Sequence, residues 1–128
     1  MRAAIESRAA ITEAHDLYEH TLIGYVESLL DVPALRLLDE LVPDHRTRIQ
    51  TNNLAGQCEA CAAGLGIAVL PEYLGSADRR LTRVLAQQVS LKRSYWLVVP
   101  RELQRLPRIR AVSSTLRAAA AAHADPTT

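Results

Sequence analysis

Phenylalanine is missing from this sequence, and tryptophan and methionine occur once each. Four tyrosines complete the aromatics, so any core must be built from Leu, Ile, Val and Ala. Hydrophobic residues still make up 48% of the 128 residues, which is enough to pack a core and argues against global disorder. No apolar run approaches the roughly 20 residues that a membrane-spanning helix needs. Glu6 interrupts the start before a signal-peptide stretch can form. A soluble cytoplasmic protein with no membrane partner is therefore expected. Two cysteines make no disulfide framework, in keeping with a reducing compartment. No internal repeat is present, and the length fits one domain or a piece of one.

Charge is nearly balanced overall, at +1, but not along the chain. Residues 1–78 carry twelve acidic and five basic side chains, whereas residues 79–128 carry two acidic and ten basic. A basic third can mark a nucleic-acid surface. Here the arginines are spread over loops and helix faces, and pairing with the acidic portion explains them better.

Residues 12–20 read as a short helix or turn with Thr12 as a possible cap and Asp16 and Glu19 on its wet side. Leu22 to Val26 is an apolar run of strand length. Pro33 opens a helix over residues 33–42, with Leu35, Leu38, Leu41 and Val42 at helical spacing and Pro43-Asp44 as its stop. Residues 46–51 form a second expected strand. Asn52 or Asn53 then caps a helix beginning at Leu54 and stopped at Gly64. Gly66 to Pro71 is continuously apolar, as a strand buried on both faces would be. A short helix or turn over 72–78 and the apolar Leu81, Val84 and Leu85 follow. Tyr95 to Val99 is a fourth expected strand, with Trp96 in core or interface. Pro107 precedes a last helix with Ile109, Val112 and Leu116 on one face. Beyond it, the Ala run 118–122 leads to a tail, residues 123–128, that should fray. Alternating strands and helices of this kind predict an α/β layered fold with a mostly parallel sheet.

Chemistry-bearing motifs are few. Gly64-Leu65-Gly66 is no dinucleotide fingerprint, because Val69 stands where the third glycine would be and the glycines end a helix instead of opening one. Cys58 and Cys61 form a CxxC in a helix middle, away from the helix N-terminus that lowers thiol pKa values, and no second ligand pair makes a zinc site. Burial accounts for them, with a disulfide pair on one helix face as the alternative. His15, His20, His45 and His123 are scattered, and Ser113-Ser114 lacks a nucleophile-elbow context. No catalytic constellation, metal site or cofactor motif emerges, so an enzyme is not expected. A thiol-dependent α/β enzyme would need a base beside Cys58 or Cys61 that the sequence does not offer.

The binding corner is Thr51, Asn52 and Asn53, between a strand and a helix N-terminus. Backbone N–H groups and the positive end of the helix dipole converge there, and open α/β sheets take ligands at the C-terminal ends of their strands. An Asn that only caps the helix is compatible with the same geometry.

Residues 51–74, from Thr51-Asn52-Asn53 through Ala63-Gly64-Leu65-Gly66 to Ile67-Ala68-Val69-Leu70-Pro71, resemble the signature segment of the effector-binding domain of LysR-type transcription regulators. Leu81-Thr82-Arg83-Val84-Leu85 and Tyr95 to Pro100 resemble the stretches that follow it, Leu22 to Val26 resembles the outward hinge strand, and Pro107 to Ala118 resembles the closing helix. The resemblance spans about residues 12–120 and leaves residues 1–11 unmatched. It implies a fold like that of periplasmic binding proteins, two α/β lobes with a small effector between them. In this chain it implies a second lobe over about 27–94, hinge strands at about 22–26 and 95–99, and a closing helix at about 108–122. Residues Thr51, Asn52, Asn53, Pro71, Gly24 and Tyr25 would face a small anionic or polar effector. The family's winged helix-turn-helix, linker helix and most of its first lobe have no counterpart here, so the reading is of a truncated domain. DNA would be reached only through a missing N-terminal part. A homodimer is implied, with residues 33–42 and the edge of 46–51 contributing. The alternatives are a stand-alone fragment with no DNA binding and a solute-binding module of the same fold.

Overall fold

Alternation along a strand places the adjacent apolar residues Leu22 and Ile23 on opposite faces, and two cores form around them. The computed structural model of the chain describes residues 2–3 and 10–123. Most of the segment 1–11 and nearly all of the tail 123–128 therefore lie outside the described residues. Two units are present, Met1–Lys92 and Arg93–Thr128.

In the first unit, strands β1 (Arg2–Ala3), β2 (Leu22–Tyr25), β3 (Thr47–Thr51), β4 (Ile67–Ala68) and β5 (Thr82–Arg83) form a sheet in the order β3-β2-β4-β1-β5. β2 pairs in parallel with both β3 and β4, and β1 runs antiparallel to β4 and β5. The fold class is thus α/β, with the three parallel strands β3, β2 and β4 on one side of the sheet. One face of the sheet packs Leu22 and Ile67 with Leu17, Leu38, Val42, Val84 and Leu85. The other packs Ile23 and Ala68 with Cys61, Leu70 and Leu81. As the composition requires, neither core contains an aromatic residue.

Helices α1 (Leu37–Leu41), α2 (Leu54–Ala62) and α3 (Glu72–Gly75) connect these strands. The helix expected over 33–42 is split. Pro33 begins a separate 3-10 turn, Pro33–Leu35, and Arg36, at ψ 44°, breaks the path before α1. The expected third strand is shorter than its apolar run, since only Ile67–Ala68 carries the ladder, although Leu70 is also buried. Gly64 ends α2 at φ 76°, as expected of a left-handed stop. Gly66 is needed for a close approach: a Cβ there would lie 2.3 Å from the Thr21 carbonyl oxygen. Thr12 does not cap the turn Ala14–Glu19 by accepting a bond. Asp16 reaches back instead, and its Oδ2 accepts from Thr12 N, Thr12 Oγ1 and Glu13 N at 2.8–3.0 Å.

The second unit corrects another expectation. Tyr95 to Val99 is no strand, and Trp96 is 87% exposed instead of lying in a core. A strand exists only where a neighbour completes its ladder, and among the described residues none pairs with this segment. Helix α4 (Pro107–His123) has no buried residue, and Val112 and Leu116 are exposed. A groove within this unit runs between Leu97, Val98 and Val99 and the α4 residues Ile109, Arg110, Ser113, Ser114 and Arg117.

Candidate functional site: the C-terminal edge of the parallel strands

Register brings the six candidate residues to one edge of the sheet. Tyr25 pairs with Thr51 and Gly24 with Gln50, at the C-terminal ends of β2 and β3, and Val26 N donates to Thr51 O at 3.1 Å. On the other side of β2, Ile23 pairs with Ala68, and the chain continues from there to Pro71, which precedes α3. Thr51, Asn52 and Asn53 connect β3 directly to α2, so the helix N-terminus stands at the same edge.

Asn53 is the cap. Its Oδ1 accepts from Gly56 N at 2.7 Å, and its Nδ2 donates to Asn52 Oδ1 at 2.8 Å. The capping role is therefore filled, and Asn52 and Asn53 remain exposed. Helix geometry leaves the Leu54 and Ala55 N–H groups without an intrahelical acceptor. Thr51 is held from below: a Cβ on Gly56 would lie 2.6 Å from Thr51 Oγ1, so only glycine lets the helix sit this close to the strand end. The corner offers backbone donors, the positive end of a dipole and amide side chains, a set suited to a carboxylate or a neutral polar group.

Gly24 sits differently from the other five. Its Cα faces Leu38 and Thr47 across the sheet, where a Cβ would meet Leu38 Cδ1 at 3.0 Å and Thr47 Cγ2 at 3.2 Å. It lines a small cavity together with Tyr25, Arg36, His45, Thr47 and Gln57. That cavity has about 20 Å³ of space for the centre of a water molecule. The imidazole of His45 is nearly buried there. Its Nδ1 contacts Val42 O at 2.9 Å, with Asp39 Oδ1 at 3.5 Å, and its Nε2 contacts Thr47 Oγ1 at 3.0 Å.

Sequence reasoning missed Gln57. It is 2% exposed, and its Nε2 has no hydrogen-bond partner among the described residues. A signal existed: Gln57 and Cys61 are four apart on α2 and share its buried face, so an amide stands where the pattern calls for an apolar side chain.

The thiols behave as packing groups. Burial pushes Cys61 up to about 11, and burial also raises Cys58, so neither is an activated nucleophile. Arg80 bridges Asp78 at 2.7 Å and Glu59 at 2.8 Å, and these bonds hold both carboxyls below their usual range. Among the described residues no group of His, Cys, Asp and Glu is arranged to hold a metal ion, and no helix is long and apolar enough to cross a membrane.

The LysR substrate binding domain matches residues 3–121, most of the chain. This chain belongs to that family. Neither a curated protein nor a solved structure gives a match. The LysR substrate-binding domain is a regulatory ligand-binding fold of the periplasmic-binding-protein type, and it is the effector-binding module of LysR-type transcription regulators. Membership gives the strand edge a context, since the domain exists to bind a small molecule in the service of transcription control.

Proposed function

We propose that this LysR substrate-binding domain takes a small anionic or polar effector at the C-terminal edge of β2, β3 and β4. Thr51, Asn52 and Asn53 form one wall, Pro71 the other, and Gly24 and Tyr25 the floor near the hinge. The observation that carries this reading is the exposed Asn52-Asn53 corner at the N-terminus of α2, already capped and still rich in donors. In the intact regulator the effector completes a cleft between two lobes and shifts their relative angle, which alters transcription. The second lobe spans about 27–94, with hinge segments at 22–26 and 95–99 and a closing helix at 108–122. DNA binding belongs to a separate N-terminal part. Dimerisation uses residues 33–42 and 46–51, a reading supported by β3 lying at an edge of the sheet among the described residues. Sedimentation that shows a monomer at high concentration would contradict the dimer.

Asn53→Asp separates ligand binding from capping, because Asp caps a helix as well as Asn while placing a negative charge in the corner. Calorimetric titration with acetate, succinate and benzoate is expected to show at least one binding, weakened about tenfold or more in Asn53→Asp, a change of about 1.4 kcal/mol. Equal affinities in the two proteins would remove the corner from the site.

A further inference from the structure

We infer that Gln57 is a further ligand-binding residue of this domain, its buried side-chain amide donating a hydrogen bond to a carboxylate or carbonyl oxygen of the effector. The inference rests on the strand-edge reading above and extends it inward.

Native interiors seldom leave a buried amide without a partner, and each such group asks for a cause. Gln57 is almost wholly buried and its Nε2 is unpaired among the described residues. Folding alone would favour an apolar side chain of similar shape at this position, because an unmade hydrogen bond costs the full desolvation of the donor. A buried polar group that lowers stability is most simply explained by a ligand that completes it.

Its position agrees. Gln57 is one helical turn beyond the cap Asn53, whose carbonyl accepts the Gln57 N–H at 3.4 Å. It lines the same cavity as Gly24 and Tyr25, both at the strand edge. The wall of that cavity is mixed, with Arg36, Asp39, His45 and Thr47 set among aliphatic side chains, and it has room for about one oxygen-sized group. Gly24 carries no side chain into the space. A ligand seated on the Asn52-Asn53 corner would project one oxygen beside Tyr25, where the unpaired Gln57 amide donor favours an oxygen acceptor over an apolar group, the Arg36 guanidinium being already paired with Asp39 at 3.0 Å.

Thermal melts of the whole chain test this with sodium acetate as the probe and sodium chloride at equal ionic strength as the control. Gln57→Met keeps the shape and removes the amide. It is expected to melt higher than the wild type without acetate, by roughly 4 °C or more, and to lose the acetate-specific rise that the wild type shows. Both results are required, and failure of either overturns the inference. If the methionine variant does not fold, Gln57→Glu takes its place: a carboxylate there repels the probe, and a surviving acetate rise overturns the proposal. An acetate rise that survives at Gln57 but vanishes in Asn53→Asp sinks this inference and leaves the strand-edge site standing. No acetate rise in the wild type sinks this inference and leaves the strand-edge site to the succinate and benzoate titrations, whereas a rise that survives in every variant sinks both.

Discussion

At the scale of single residues, side chains that look alike in the sequence take different parts. Asn52 and Asn53 were both possible caps, and bonding geometry chose Asn53 because its oxygen meets Gly56 N. Asn53→Ala should therefore cost about 1 kcal/mol of stability, read by urea unfolding, whereas Asn52→Ala should leave the midpoint nearly unchanged. Asp16 is held below its ordinary value of 3.8, first by the Glu13 N–H and then by the Thr12 N–H and hydroxyl. A lowered folded-state pKa means that the unfolded chain takes up protons first as pH falls. The stabilisation from Asp16 is thus complete above its ordinary value and disappears as pH drops through the folded-state value. Unfolding curves below pH 4 should flatten in Asp16→Asn relative to the wild type. For the thiols, burial implies that iodoacetamide labels Cys58 before Cys61 at neutral pH, with Cys61 reacting only on unfolding. The corner Thr51-Asn52-Asn53 was legible because capping chemistry is local. Gln57 was legible only as an amide on the buried face of α2, because whether that amide finds a partner depends on residues far away in sequence, such as Gly24 and Tyr25.

Among the elements, those with local signals came through and those that need a neighbour did not. The boundaries of β2, β3 and α2 could be read from β-branched runs, an Asn cap and the glycine stop at Gly64. The helix over 33–42 could not be resolved into a 3-10 turn and α1, because leucine spacing survives a one-residue break at Arg36. Tyr95 to Val99 has every residue preference of a strand, yet a strand is a property of pairs. Trp96 reports on this directly, being the single tryptophan in the chain. Its emission should be that of a solvated indole, readily quenched by acrylamide, and protected blue-shifted emission would show that the segment is covered. The backbone contact between Gly66 and Thr21 ties β4 to the start of β2. Gly66→Ala should lower stability by about 1–3 kcal/mol, because a backbone atom cannot step aside as a flexible side chain would.

For the molecule as a whole, the α/β class and the family were both within reach of the sequence, since alternating elements and a long ordered signature are carried by many residues at once. Effector identity was not, because a few side chains at the strand edge decide it. The fold arranges three parallel strands so that their C-terminal ends, a capped helix N-terminus and a buried amide lie within one region, while the scaffold is aliphatic on one sheet face and aliphatic with Cys61 on the other. The proposed function has this edge bind an anionic or polar small molecule. The amide NMR spectrum of the labelled chain, titrated with sodium acetate against a sodium chloride control, tests it most directly. Saturable shifts of the Leu54, Ala55 and Asn53 amides are expected. Amides at the N-terminus of α2 that stay still while signals elsewhere move would contradict it.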